Sequence, residues 1–579
     1  MAFLFRSKPP SGVILAVIIL ISAASGMGMV FWGGSRGLFA FDHSIVFDGA
    51  WRIFSGQTPW RDFLVPFGLP AFWLQTFFFR FLGVDYFAYL FGAAALNALA
   101  AAAACLSARI LFPRRFFPVL IAGMLTAVWF YPPMGVPFLD QTAYFFSFLC
   151  ILVLLAGAFR FKGSGLLFVL GGLLSWCAIL SHPRAGLYIL PLYPLLIFFT
   201  RTPGSRIRSL ASFGGGFVLG AAIFSAWLIV FSQPEDFLAY AVRIPLGEFR
   251  SRFRSGFFGP FLGGGRGLVR ILTGRSCCDF FFSCYNPEKL GVYLHRIPIV
   301  PRLVLLAVFY LGLFKGVLLL IAFRKNPRID PRSVAVVLLI LGLFLFQASY
   351  IHHTLNHAAA GIPFVGLILS AGFGLCFRSR FPLGKEGGSK RTLSVWTTRT
   401  LAGLVAAGVA AVGMEVTWRR VVHDGLRQAA VFRPLPIASF HPLRWGDPTW
   451  LSGVTVTAAD IKGLYDYLEN EEKNFFIFPE LTVLYGLLGK PSPQPLVWFH
   501  RGLTYSGNYD FELDRRIVRD LEKNEVKIIV LEGILSPERD RIFDLFPLLK
   551  WYIINRFQSE GSIGPFFLFA KRLPESGGW

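Results

Sequence analysis

Charge is scarce in this sequence. Only 15% of the 579 residues are Asp, Glu, Lys or Arg, while 55% are hydrophobic and 64 are Phe. A soluble chain of that size has no interior large enough to hide so much apolar surface. The composition therefore excludes an ordinary globular protein and leaves a polytopic membrane protein. Carboxylates are scarcer still, 33 against 56 Lys and Arg, for a net charge of +23. A nucleic-acid binder would concentrate such a surplus on a soluble domain with a recognisable motif. Here the basic residues recur in short tracts between apolar runs, as in the cytoplasmic loops of membrane proteins, so nucleic acid is not an expected partner. Internal repeats and heptads are absent, and low complexity is confined to the alanine-rich run 98–104, a small-residue face for helix packing.

Cysteine is sparse too. Of the seven, Cys105, Cys150, Cys177 and Cys376 fall within apolar runs and read as small buried hydrophobes. Cys277, Cys278 and Cys284 share one loop, where a Cys277–Cys284 or a Cys278–Cys284 disulfide is open to the chain if that loop is extracytoplasmic. No His–Cys spacing makes them a metal site.

What the chain does have is long apolar runs, each helical span needing about 20 such residues. They begin at 12–31 and continue at 85–108, 116–131, 139–159, 165–181, 185–200, 209–231, 298–323, 333–350, 358–376 and 400–416, about eleven in all. The first resembles a signal peptide up to the small residues of Ser22–Gly26, but its apolar run continues to Trp32 and reads as an uncleaved anchor. Arg6/Lys8, Arg109/Arg114/Arg115, Arg160/Lys162, Arg201/Arg206/Arg208, Arg324/Lys325/Arg328 and the tract Arg378 to Arg399 then fall on one side, which the positive-inside rule makes cytoplasmic. The expected organisation is a multi-span domain over 1–420 with outer loops 32–84 and 232–297, followed by an extracytoplasmic domain over 421–579. From about Val456 the composition turns soluble. Helical patterns ("AADIKGLYDYLENEEKN", "DFELDRRIVRDLEKN", "SPERDRIFDLFPLLKWYI") alternate with short β-rich runs ("FFIFP", "VKIIVLE", "FFLFAKR"), the signature of a small α/β domain. No GxGxxG, P-loop, zinc spacing or nucleophile elbow occurs in it.

The unusual residues collect on the outer side. In "FDHSIVFDGAWRIF" Ile45, Val46, Gly49/Ala50 and Ile53 keep a helical period, predicting an amphipathic helix along the membrane surface. Asp42 in it reads either as a helix cap or as a functional carboxylate. Asp48 and Arg52, four apart, read as a surface ion pair, and Asp62 beside Arg61 as a turn stabiliser. Asp140 follows a Pro-rich turn at the mouth of a span, where a carboxylate is kept for a cap, a partner or a function. Arg184 lies in a short outer turn against the charge rule, which points to a phosphate, with Asp140 or Asp42 as the alternative partner. Arg243, Arg250, Arg252 and Arg254 alternate with Phe in the long outer loop, suited to an anionic headgroup or simply solvated. His352, His353 and His357 start a span, with no HExxH and no neighbouring carboxylate, and read as interfacial hydrogen-bonding groups.

The order of an apolar span, Asp42-His43, "GAWRIFSGQTPWRDF", a proline and the Phe-rich stretch ending "FRFLG" resembles the first periplasmic loop of the GT-C glycosyltransferases, which include protein O-mannosyltransferases and lipid A aminoarabinose transferases. "PFLDQTAYFFSFL", "LSHPRAGLYILP", the long outer loop and the terminal α/β domain extend the likeness more weakly. The resemblance implies a bacterial inner-membrane enzyme, with a cytoplasmic N-terminus and a periplasmic C-terminal domain. Such an enzyme moves a sugar from a polyprenyl-phosphate donor to a hydroxyl on a lipid, glycan or protein, with inversion. It makes Asp42 the catalytic base and assigns Arg184, Arg243 and Arg250 to the donor phosphate. His43, Asp48, Asp62, Asp140, His353 and His357 are supporting. No metal site is assigned. Many relatives carry Asp-Glu where this chain has Asp42-His43, so a divalent cation stays open rather than expected. A transporter or polymer-handling protein, or a non-catalytic relative, is the rival reading; a transporter would show inverted repeats and midplane polar residues, which this sequence lacks. Reporter fusions test the threading: fusions ending after Asp62 should be active only with a reporter that works outside, and fusions after Lys162 only with one that works inside.

Overall fold

The computed structural model describes residues 12–247, short stretches between 331 and 339 and between 403 and 418, and 429–572, with brief gaps in each. Arg250, Cys277, Cys278, Cys284, His352, His353, His357 and the expected spans 298–323 and 358–376 lie outside the described residues. So does most of 333–350 and part of 400–416.

The membrane part is helical. It comprises α1 (Gly12–Gly34), α2 (Ala40–Phe54), α3 (Leu69–Leu82), α4 (Tyr86–Leu111), α5 (Phe117–Trp129), α6 (Leu139–Phe159), α7 (Gly165–Ser181), α8 (Pro183–Ile189), α9 (Leu192–Thr200) and α10 (Pro203–Phe231). Among the described residues, α1, α4, α6, the α8–α9 pair and α10 are long and apolar enough to cross a bilayer. Helices α5 and α7 are shorter apolar ones. The run expected as one span at 185–200 is broken at Leu190–Pro191, because Pro191 cannot continue the hydrogen-bond ladder of α8.

Packing within the bundle follows the small residues. Ala100, Ala101, Ala103, Ala104 and Ala108 of α4 are buried. Asn97 Nδ2 donates to the carbonyls of Gly26 and Ala127, both at 2.9 Å, tying α4 to α1 and α5. At the other end of the bundle Asp85 caps α4, its carboxylate accepting the Ala88 N–H at 2.7 Å.

The C-terminal part holds two hairpins, β1 (Val431–Pro434) with β2 (Arg444–Asp447) and β3 (Thr449–Leu451) with β4 (Val454–Val456). After them come α11 (Ala458–Asn470), β5 (Asn474–Phe478), α12 (Val483–Leu487), α13 (Phe511–Lys523), β6 (Val526–Glu532), α14 (Pro547–Arg556), β7 (Phe557–Ile563) and β8 (Phe566–Lys571). The sheet order is β5-β6-β8-β7, parallel at β5–β6 and antiparallel elsewhere. Thr457 and Asp460 close a capping box at the start of α11. On α13, Leu513, Ile517 and Leu521 form the buried face, while Asp514 accepts the Leu548 and Leu549 N–H groups at 2.8 and 3.0 Å and so caps α14. The hairpins and β7 were not expected. The hairpin strands are only three or four residues long and β7 is exposed over most of its length, so they lack the continuous apolar pattern that marks β5 and β6.

This domain sits on the segment that follows α1. Arg444 N donates to Ser35 O at 2.7 Å and Gly37 N to Arg444 O at 2.8 Å, while Leu64 N donates to Pro495 O at 2.6 Å. Helix α12 lies against α2 so closely that a Cβ on Gly486 would stand 2.7 Å from Phe47 Cε1 and 3.0 Å from the Trp51 ring. Gly486→Val should therefore loosen the dock by about 1–3 kcal/mol, the usual cost of overpacking, measured as earlier protease cleavage between the two parts on heating.

Candidate functional site

Helix α2 forms where the apolar period predicts it, but it does not lie open on the membrane surface. Val46, Phe47, Asp48, Ala50 and Arg52 have no exposed area. Helix α3, read from sequence only as a Phe-rich stretch, covers one side through Phe72 and Phe79, and the C-terminal domain covers another.

Asp48 and Arg52 are thus not a surface pair. Arg52 Nε donates to Asp48 Oδ2 at 2.9 Å with neither side chain exposed. The Ser492 hydroxyl donates to Asp48 Oδ1 at 2.6 Å, and Arg52 Nη1 donates to Gln494 O at 2.7 Å. Trp51 Nε1 reaches Lys490 O at 2.9 Å and Gln57 Nε2 reaches Ser492 O at 3.2 Å. Residues 490–494 therefore run along α2 as a strap. Burial pushes the Asp48 carboxyl up from its ordinary value, and Arg52 and Ser492 pull it back down. This cluster is a structural lock rather than part of a reacting group. Asp62 does what the turn reading gave it, accepting the Thr58 N–H at 2.7 Å and pairing with exposed Arg61 at 2.9 Å.

Asp42 and His43 occupy the first turn of α2, Asp42 partly exposed and His43 buried. His43 Nδ1 accepts the Phe39 N–H at 3.2 Å, which leaves the proton of a neutral ring on Nε2. The carbonyl of His43 accepts the Tyr89 hydroxyl at 2.7 Å, and the same hydroxyl lies 3.3 Å from Pro137 O, three residues before Asp140. The structure thereby gathers the Asp42 turn and the Asp140 turn around one side chain of α4.

Asp140 opens α6, is 3% exposed, and pairs with His182 Nε2 at 3.2 Å. His182 is the N-cap of α8, its Nδ1 accepting the Ala185 N–H at 3.3 Å. With Nδ1 occupied as an acceptor, a neutral ring carries its proton on Nε2, the nitrogen that stands 3.2 Å from Asp140 Oδ1. Arg184 stands two residues further on in the same short helix, half-buried. Phe67 packs edge-on against His182 at 4.5 Å and faces Trp498 of the strap's continuation at 6.5 Å. Its neighbour Gly68 takes φ +106°, and a Cβ there would stand 2.6 Å from Leu139 Cδ2. Only glycine lets the loop come this close to α6.

Asp42, His43, Asp140 and Arg184 thus belong to elements that meet at one end of the bundle, joined by Tyr89 and His182. Arg243 is exposed at the end of a π-helical segment, Phe237–Arg243, whose Tyr240 packs into the C-terminal domain. Sequence reading missed Tyr89, His182 and Ser492. "SHPRAG" held a signal for His182, a capping residue directly before a proline at the first helical position. Tyr89 sits among apolar residues and offered none. Among the described residues no three His, Cys, Asp or Glu side chains stand together as a metal site. Among the described residues, His43 rather than a second carboxylate follows Asp42, and Asp140 stands 3.2 Å from His182 Nε2.

No protein-family model and no curated protein matches the chain. Among solved structures it is similar to the archaeal oligosaccharyltransferase AglB from Archaeoglobus fulgidus, in complex with an inhibitory peptide and a dolichol-phosphate, at 14% identity over 97% of this chain and 75% of that one, TM-score 0.49. It is similar to ArnT from Cupriavidus metallidurans bound to undecaprenyl phosphate at 13% identity, covering 98% of this chain and all of that one (100%), TM-score 0.48. The arabinofuranosyltransferase AftD from Mycobacteria gives 13% identity, 99% and 42% coverage and a TM-score of 0.50, so this chain spans under half of that protein. The likeness shows the fold alone: over 99% of its length this chain is built like the matching part of AftD.

The lock makes its own prediction. Arg52→Ala leaves Asp48 buried without its cation and should lower stability by about 3–5 kcal/mol, read as a lower midpoint in thermal unfolding of the detergent-solubilised protein.

Proposed function

We propose that this protein is an extracytoplasmic glycosyltransferase that takes its sugar from a polyprenyl-phosphate donor. The observation that carries the reading is the meeting of the Asp42 turn with the approach to α6, and of Asp140 with the N-cap of the helix that carries Arg184. Of the similar structures, AglB was captured with a dolichol-phosphate and ArnT with undecaprenyl phosphate, in keeping with a lipid phosphate as the carrier here.

The chemistry needs few groups. The acceptor hydroxyl oxygen forms a bond to the anomeric carbon as the bond from that carbon to the phosphate oxygen breaks. The phosphate departs with the electron pair as a stabilised anion, so no strong general acid is required. The hydroxyl proton goes to a base, and Asp42 is the partly exposed carboxylate placed for it. Arg184, with Arg243 and Arg250 of the long outer loop, would hold the phosphate and stabilise its growing charge. A single displacement inverts the anomeric centre, base and leaving group lying on opposite faces. Asp140 and His182 act at one remove by orienting the start of α6 against α8. The strap and its domain fix α2 from the far side and form one wall of the outer face, where an acceptor on a lipid, glycan or protein would approach. The bilayer is expected to be the bacterial inner membrane, with the C-terminal domain in the periplasm.

Asp42→Asn is nearly isosteric and removes the base. Transfer from radiolabelled polyprenyl-phosphate sugars in membranes should fall by about 100-fold or more, with expression and thermal midpoint unchanged. Full activity in this variant would remove Asp42 from the role.

A further inference from the structure

Helix α4 carries two tyrosines one turn apart, Tyr86 and Tyr89, both with no exposed area and ring centroids 6.1 Å from each other. Tyr86 donates its hydroxyl to Gly34 O at 2.9 Å and so holds the end of α1. Tyr89 donates to His43 O at 2.7 Å and lies 3.3 Å from Pro137 O. These carbonyls belong to segments far apart in the chain. One follows Asp42 directly; the other precedes Asp140 by three residues. The Tyr89 ring is itself held, with Phe47 of α2 edge-on at 5.1 Å. A helix that crosses the whole bundle therefore ends in a rigid side chain whose single hydroxyl spans the two acidic turns.

We propose that Tyr89 is a positioning residue: its hydroxyl fixes the separation between the Asp42 turn and the Asp140 turn, and hence the alignment of the base with the donor phosphate. The hydroxyl acts through the backbone of both turns, at the carbonyls of His43 and Pro137. A carboxylate on the first turn of α2 follows the backbone there, and an error of about 1 Å in placing a reacting group is enough to cost two orders of magnitude in rate. Tyr86 makes the same kind of buried bond to a segment that carries no candidate reacting group. It is therefore the internal control for the loss of a buried hydroxyl as such.

The assignment rests on the transfer reading above, and the experiment separates the two. Tyr89→Phe and Tyr86→Phe each remove one oxygen and keep the ring packing. Both, with the native chain and Asp42→Asn, are purified in detergent and assayed for kcat and donor KM with the polyprenyl-phosphate sugar that the native chain consumes, alongside thermal midpoints. Tyr89→Phe should lower kcat about 10- to 100-fold with donor KM within about twofold, whereas Tyr86→Phe, with a similar drop in midpoint, should keep kcat within about threefold. If Tyr89→Phe keeps native kcat while Asp42→Asn is inactive, the positioning role is wrong and the transferase reading stands. If both Phe variants lose kcat in proportion to their stability, the role is structural only and the assignment falls. A native chain that consumes no donor overturns the transferase reading and this assignment with it.

Discussion

Asp48 and Arg52 face each other one turn apart on α2 with neither side chain exposed, and each finds its second partner on the strap 490–494. Removing two charges from water costs several kcal/mol per ion, which their attraction offsets only when geometry and hydrogen bonding are good. Both conditions hold only with the C-terminal domain in place: Ser492 completes Asp48 and Gln494 O completes Arg52. Without the domain, α2 would expose a charged pair and a row of aromatic side chains on the same short helix. The pair therefore acts as a condition on assembly, since α2 in this position and the domain on top of it require each other.

The rest of this end of the bundle follows from that dock. With α2 pinned through its middle, its first turn is delivered to Tyr89, and Tyr89 brings it to the approach of α6. Past Gln494 the strap pairs through Pro495 with Leu64, then places Trp498 beside Phe67, which packs on His182. His182 holds Asp140 and caps the helix that carries Arg184. Two routes thus reach the same acidic turns, one through the bundle and one through the C-terminal domain. Polar residues this costly beside a membrane are grouped at one end of the bundle, as a reaction on a lipid-borne substrate would require.

Much of this was readable from sequence because the membrane imposes a simple rule. Spans need long apolar runs, and α1, α4, α6, α7 and α10 begin or end close to where those runs do. The helices and strands with a continuous period in the soluble part, α11, α13, β5, β6 and β8, were equally plain. Asp42, Asp140 and Arg184 stood out because carboxylates and a lone arginine are conspicuous in such a chain. What sequence could not supply was the third dimension. Asp48–Arg52 has the spacing of any exposed helical pair, and nothing local says that Ser492, far along the chain, will bury it. Tyr89 resembles every other aromatic residue of an apolar run until its hydroxyl is seen between two carbonyls. Helix α3 was passed over because Phe-rich segments near a membrane fit a loop, a surface helix or a buried one equally well.

Transfer from a lipid phosphate is the reaction to measure first. Purified protein, supplied with a panel of polyprenyl-phosphate sugars and a membrane extract as acceptor, should release free polyprenyl phosphate from at least one donor, detected by mass spectrometry. Release that requires the extract would mark a transferase with a separate acceptor. If every donor in a broad panel is recovered intact from a folded preparation, the fold here serves some other purpose and the assignment of Asp42 fails.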